Sequence, residues 1–457
     1  MSEERLGVGL GWRRELAADL LASPEVVDFV EVVAESCYVQ AKLRREAVAL
    51  SRLWPVALHG VKLSLGSAEG LDDERARQLG ALARELRPPV ISEHVAFTRG
   101  RSREIGHLTP LPRTREAVAV VARNVARARR FLPDVPLLLE NVAATFGWPD
   151  DEMDEASFYQ EVVAATDCAL LLDLGNLWAN AINEGLDPHE VLRRMPLERV
   201  AMVHLAGGEW DHGFYLDTHA APVGEPVLGL LGALTRWRGP VPVLLERDAG
   251  FGPFEALRGE LERIREVVAT DERETWDRAP WSPSPEVARG GRAPAWERLA
   301  DEQHALAQAL TALDEPSPEM VGRFGAEPLR RTRAVLARKR VDDSLPLLPR
   351  TAAKGEPARS LAMAAVEREP RAPQRAAIAD ALRIAAAAAV DPVLSAAGRV
   401  DQLILRARFV GPDRNGVVRP RRGPFVGRAR VDERRACWVV KGPGSAAAVR
   451  LFERGGP

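Results

Sequence analysis

Four of the eight histidines in the chain, His59, His94, His204 and His219, stand at the end of an apolar run or in a DTH triplet beside one. Glu31, Glu140, Asp173 and Glu246 occupy equivalent places, and the same triplet adds Asp217. The stretch LLLEN ends on Glu140 and Asn141, and CALLLDLGN brings Asp173 and Asn176. An apolar run without alternation reads as a strand covered on both faces. A carboxylate at its end then needs a partner. Carboxylates and imidazoles gathered at one place repel and desolvate one another, and a cation is the usual way to satisfy them. Imidazole and carboxylate without thiolate suit iron, manganese or zinc, and argue against a structural zinc. The donors outnumber those one ion takes, which points to more than one metal.

Taken singly, a histidine after an apolar run is more often a core or turn residue. The combination of strand ends outweighs that reading. His189, in DPHEVL, opens a helix and reads as solvated, and His304 falls outside the repeating pattern. His107, Asp211 and His212 lie on loops near the same end, as substrate contacts or as surface. Glu35 and Glu93 each adjoin a stronger candidate and read as hydrogen-bond partners of ligands.

The elements that position these residues recur in order. GVGLGW, DFVEVVAE, PVALHG, PVISEHVAF, LLLEN, CALLLDLGN, RVAMVHLAG and PVPVLLERD alternate with amphipathic helical stretches. Strand followed by helix eight times predicts an α/β chain with a TIM-type (β/α)8 barrel over residues 1–270, whose chemistry sits at the C-terminal ends of the strands. Asn176 falls in the sixth strand on this reading. Residues 271–295, rich in Pro, Arg and Gly, read as a linker. Residues 296–457 read as a smaller, mostly helical accessory domain, with helices over WERLADEQHALAQALTAL, EPLRRTRAVLARKR and 376–397. Short strands are expected over QLILRARFV, ACWVVKGPG and AVRLFE.

A formal net charge of −2 gives no global pull toward nucleic acid or acidic membranes. The basic cluster near Arg330–Arg340 lacks the interleaved aromatics of a stacking platform, so nucleic acid is not an expected partner. No stretch reaches the ~20 apolar residues of a membrane span, and the first residues lack signal-peptide order. A cytoplasmic protein without a membrane partner is the expectation. Cys37, Cys168 and Cys437 are widely spaced and read as reduced thiols.

The series GVGLGW, EVVAE, LHGVKLSLGS, SEHVAF, LTPLP, LLLEN, CALLLDLGNLWANAIN, HLAGG, DTHAAPV and LLERD resembles, in order and spacing, the multinuclear non-heme iron-dependent oxidative enzymes. The resemblance covers about residues 5 to 265. It implies two or three irons in mixed Fe(II)/Fe(III) states, dioxygen as co-substrate, and cysteine residues of a ribosomally made precursor peptide as the target. It implies metal ligands at His59, His94, Glu140, Asp173, Asn176, His204, Asp217, His219 and Glu246. Glu140 bridges two irons in this picture, and Glu140, Asp173 and His204 carry the catalysis. Asn176 offers a weaker donor than some members have there. Glu93 stands where the family more often has Asp, which implies altered geometry beside His94 with the metal retained. Leader recognition falls to residues 296–457 or to a separate protein. Other barrels with acidic and imidazole mouths leave a divalent-metal sugar isomerase, epimerase or endonuclease as the alternative enzyme. A non-catalytic, metal-dependent peptide-binding protein is the alternative of another class.

Overall fold

A computed structural model describes residues 6–39, 41–101, 103–270, 272–276, 293–372, 375–413, 416–430, 435–444 and 448–455. The chain divides into two compact units, Met1–Ala305 and Leu306–Pro457. The division falls inside the helix Ala293–Thr311. Most of the 271–295 stretch read as a linker lies outside the described residues.

The first unit holds a closed barrel of eight parallel strands. These are β1 (Val8–Gly11), β2 (Phe29–Val33), β3 (Val56–Gly60), β4 (Ile91–His94), β7 (Leu137–Glu140), β8 (Ala169–Asp173), β9 (Val200–Leu205) and β12 (Val243–Leu245). Two antiparallel hairpins, β5 (Ala96–Gly100) with β6 (Arg103–Pro110) and β10 (Gly207–Asp211) with β11 (Phe214–Ala221), extend the loops after β4 and β9. The barrel strands are buried throughout their central residues, which accounts for their unalternating apolar runs. Inside, Phe29, Ala57, Leu138, Leu171, Met202 and Leu244 form one apolar layer. The bulk of Phe29 is accommodated by Gly9, where a Cβ would lie 2.5 Å from its ring.

Helices follow the strands, and several begin on an Asp or Thr that caps the free backbone donors. Asp72 accepts from Glu74 and Arg75 N–H at the start of Asp73–Leu86. Thr114 caps Arg115–Ala128, and Asp154 caps Glu155–Thr166. The first turns of Ala293–Thr311 belong to this unit too. Gln303, 1% exposed, donates to the Gly66 carbonyl at 2.8 Å and accepts from Ala68 N–H at 2.9 Å.

In the second unit, helices Ala326–Ser344, Glu356–Glu367 and Ala376–Ala388 share a core of Val341, Leu348, Ala362, Val366, Ala379 and Ile384. Its small alanines let the helices approach closely, and Arg340 forks onto the buried Asp380 carboxylate at 2.9 and 2.8 Å. The expected helix over 376–397 instead stops at Ala388, ahead of Asp391 and Pro392. QLILRARFV, expected as a strand, is mostly the end of helix Ser395–Arg408. Val400 and Ala407, seven residues apart on one helical face, are covered by the sheet residues Ala429, Cys437 and Val439, while Leu405 turns to the core shared with Val341 and Ile384. Among the described residues, no helix is long and apolar enough to cross a membrane.

Candidate metal centre

The apolar layer of the barrel determines where the polar one lies. Side chains on a strand alternate, so the residue two places on from an inward one also points inward. Two places on from Phe29, Ala57, Leu138, Leu171, Met202 and Leu244 stand Glu31, His59, Glu140, Asp173, His204 and Glu246. On β4, Val90, Ser92 and His94 follow the same alternation. A ring of carboxylates and imidazoles therefore lies directly above a dry floor, all of them at most 8% exposed.

Three overlapping donor sets converge there. His59, His94 and Glu140 form one; Glu140, Asp173, His204 and Glu246 a second; Glu31, His59 and Glu246 a third. Within each, one donor atom per residue lies within 4.8 Å of the others. Glu140 is shared, its Oε2 3.2 Å from His94 Nε2 and its Oε1 3.1 Å from His204 Nδ1. The hairpin β10–β11 brings Asp217 and His219 to the same place. His219 Nδ1 lies 3.2 Å from Glu246 Oε2, and its Nε2 touches Asp217 Oδ2.

The far nitrogens of the imidazoles are held by other groups. His94 Nδ1 lies 3.3 Å from the Gly60 carbonyl, an acceptor that keeps the proton on Nδ1 and leaves Nε2 facing Glu140. His204 Nε2 lies 3.2 Å from Glu31 Oε2, which leaves Nδ1 facing Glu140 and Glu246. His59 Nδ1 meets the Ser92 hydroxyl at 2.8 Å. Asp173 caps the helix Leu174–Asn183 with Oδ1, accepting from Asn176 N–H at 2.7 Å. Asn141 spends its amide on the backbone of Asp173, donating to its carbonyl at 2.9 Å and accepting from its N–H at 2.8 Å.

The charges are correspondingly displaced. Burial opposes the charged form of His94, and Glu140 with Glu93 overcomes it, lifting the imidazole to about 9. His204 is raised well above its ordinary value against the same burial, by Glu31, Glu140 and Glu246. Glu140 resists burial through His94, His204 and His59 and is pulled down to about 2. Burial, reinforced by Asp217 and Glu140, pushes Asp173 well above the usual carboxylate range.

Donors are left over even so. Glu140 Oε2, Asp173 Oδ2, His204 Nδ1 and Asp217 Oδ1 are buried and make no hydrogen bond. Buried polar atoms of this kind are costly unless something else satisfies them. Five carboxylates and four imidazoles on one dry floor, with these atoms spare, fit a multivalent cationic centre.

Of the residues singled out in the sequence, the structure gathers His59, His94, Glu140, Asp173, His204, Asp217, His219 and Glu246. Asn176 lies beside them, although β8 ends at Asp173 and places it in the first helical turn, its side-chain amide donating to the Asn141 carbonyl at 3.0 Å. Glu31 belongs in the cluster although it has no place among the ligands implied by resemblance. Its position at a strand end was the available signal. Glu93 accepts from the backbone N–H groups of Leu63 and His94, and Glu35 from that of Val61, so they brace the loop after β3. Asp211 and His212 form the tip of the β10–β11 hairpin, where His212 is exposed. His107 lies on β6, His189 starts the helix Pro188–Arg194, and His304 meets the Gly100 carbonyl at 3.1 Å.

A family model for the RiPP precursor modification enzyme MbnB/TglH/ChrH matches residues 7–269. A UPF0276 protein of Streptomyces avermitilis is 40% identical over 274 residues, covering 58% of this chain and 55% of that protein. Another from Caulobacter vibrioides is 39% identical over 261 residues, covering 57% of this chain and 93% of its own length. The match thus spans about half the length of the Streptomyces relative. Endonuclease IV from Thermus thermophilus is 19% identical, with 57% of this chain and 99% of that one covered and a TM-score of 0.39, too loose a likeness to bear on chemistry. With more than half its length matched, the chain belongs to the RiPP precursor modification enzyme MbnB/TglH/ChrH family.

Proposed function

We propose that the protein is a cytoplasmic iron enzyme that uses dioxygen to oxidise cysteine residues of a ribosomally synthesised precursor peptide. The observation that carries this reading is the sharing of Glu140 between a set with His59 and His94 and a set with Asp173, His204 and Glu246. A carboxylate with its two oxygens on different imidazoles is suited to bridge two ions. His59, His94, Glu140, Asp173, His204 and Glu246 would hold two irons in mixed Fe(II)/Fe(III) states. Asp217, His219 and Asn176 would complete or extend the set to a third, with Asp217 Oδ1 and Asp173 Oδ2 as spare donors.

Iron held there supplies the redox couple through which dioxygen oxidises a thiol-bearing substrate. The protein's own part is to fix and shield. Glu31 and the Gly60 carbonyl hold the tautomers of His204 and His94, Ser92 orients His59, and Asn141 sets the backbone of Asp173. The apolar layer beneath excludes water from that side. Recognition of the precursor's leader falls to residues 296–457 or, where these do not serve, to a separate protein.

The test is to incubate iron-loaded protein with a cysteine-containing precursor peptide, with and without dioxygen, and to read the peptide mass. A mass change confined to the cysteine and dependent on dioxygen is expected. An unchanged peptide, or the same change without dioxygen, contradicts the reading.

A further inference from the structure

We propose that Trp210, Trp178 and Tyr215 form an aromatic lip that binds an apolar or aromatic side chain of the precursor peptide about two positions from the cysteine presented to the metal centre. The proposal rests on the peptide-modifying reading above and adds a specificity element to it.

Trp210 is 61% exposed, on the strand partner of the segment that carries Asp217 and His219. Its ring meets Tyr215 at 5.5 Å and Trp178 at 6.4 Å, and Trp178 meets Tyr215 at 4.4 Å, all edge to face. Trp178 and Tyr215 are half-buried, whereas the outermost ring, Trp210, is left largely in water, and a further apolar group set against it covers that surface.

The lip is held in place. Asn183 pairs with the backbone of Tyr215 through two bonds of 2.9 Å, and Gly208 N–H donates to the Tyr215 hydroxyl at 2.7 Å. Gly207 admits no side chain, because a Cβ would lie 2.2 Å from the Pro222 carbonyl oxygen. At the hairpin tip His212 and Gly213 have φ of 50° and 82°, as a tight two-residue turn requires. A surface that rigid loses little entropy on binding.

Position and charge select the occupant. Trp210 and Tyr215 are cross-strand partners, and Asp217 is two residues beyond Tyr215 on the same face, about 7 Å along the strand. Trp178 belongs to the helix that Asp173 caps. Both supports of the lip therefore run directly into the centre. Glu209 and Asp211 alternate to the opposite face of β10, which leaves the Trp210 face apolar as far as Asp217.

The test uses the full chain under nitrogen and two fluorescein-labelled Gly/Ser peptides with one cysteine, bearing Phe or Gly two positions from it, followed by fluorescence anisotropy. The Phe peptide is expected to bind about ten-fold more tightly than the Gly peptide, with Trp210→Ala abolishing the difference and Trp210→Phe keeping most of it. Equal binding of the two peptides by the unaltered chain, including no saturable binding of either, overturns the proposal. So does a Phe preference that survives Trp210→Ala. Because binding needs no dioxygen, a Phe preference without any peptide oxidation would sink the proposed function and leave the lip standing.

Discussion

Glu31 and His204, 173 residues apart in the chain, meet at 3.2 Å inside the barrel, carboxylate oxygen to Nε2. The contact fixes the imidazole with Nδ1 toward Glu140 and Glu246. Carboxylates that orient a ligand histidine in this way are typically worth 10–100-fold in metal affinity. Glu31→Ala should weaken metal binding by roughly that factor, as read by competition with a chelator. Glu31→Gln, which still accepts from Nε2–H, should lose less than Glu31→Ala. Equal retention of metal by Glu31→Ala and the unaltered protein would remove Glu31 from the centre.

Asp173 serves two purposes that substitution can separate. Its Oδ1 caps the helix Leu174–Asn183, while its Oδ2 makes no hydrogen bond and the residue lies in the donor set with Glu140, His204 and Glu246. Asp173→Asn keeps a capping oxygen and should fold normally while losing iron loading and turnover together. Asp173→Ala should lose both and in addition about 1 kcal/mol of stability with the cap. Full turnover in the Asn variant would contradict the role given to this carboxylate, as would full turnover in His204→Ala.

Away from the candidate metal centre, burial lifts the Glu155 carboxyl to about 7, against the lowering effects of Arg113 and Asn180. A carboxyl whose folded value lies above its unfolded one contributes stability that is complete below about 4.5 and lost as pH rises through about 7. Glu155→Gln preserves an acceptor for Asn180 and removes the ionisation. Its melting temperature should match the parent at pH 4.5 and exceed it at pH 8 by on the order of 3 °C. A lower value at pH 8 would show that the ionised form is the stabilising one.

Gln303 replaces a backbone partner for two buried groups, the Gly66 carbonyl and the Ala68 N–H. Gln303→Ala should leave both unsatisfied and cost on the order of 3 kcal/mol in urea unfolding of the first unit. Gln303→Glu, which keeps only the acceptor, should fall between. A loss below about 0.5 kcal/mol in the Ala variant would mean that water replaces the amide without penalty.

The eight barrel strands were legible because parallel strands buried on both faces leave an unmistakable run of Val, Leu and Ile. The clustered carboxylates and imidazoles were legible because each run ends where the alternation brings a polar side chain over the core. The hairpins β5–β6 and β10–β11 were not recognised, since their half-exposed residues mix Thr, Arg, Glu and aromatics without a clean period. For β10–β11 the best local signal in the sequence was Gly213 in the run Asp-His-Gly, where the structure puts a turn with positive φ at His212 and Gly213. Asn176 was misplaced because an apolar helix, LGNLWANAIN, continues an apolar strand without a break in composition, and only the capping geometry of Asp173 marks the boundary. QLILRARFV has strand-like residues, yet it continues a helix begun at Ser395, whose buried Ala397, Asp401 and Leu405 recur four apart. Gln303 gave no signal at all, because a polar residue on an amphipathic helix reads as surface until the backbone it satisfies is known.

The most direct test of the account is metal analysis with Mössbauer spectroscopy on the full chain purified without air. Two or more irons per chain, with spectra of ions coupled through a shared ligand and with coupling lost in Glu140→Gln, are the predicted result. Stoichiometric zinc or manganese in place of iron, or a single uncoupled iron, would contradict the Glu140-bridged centre on which the proposed function rests.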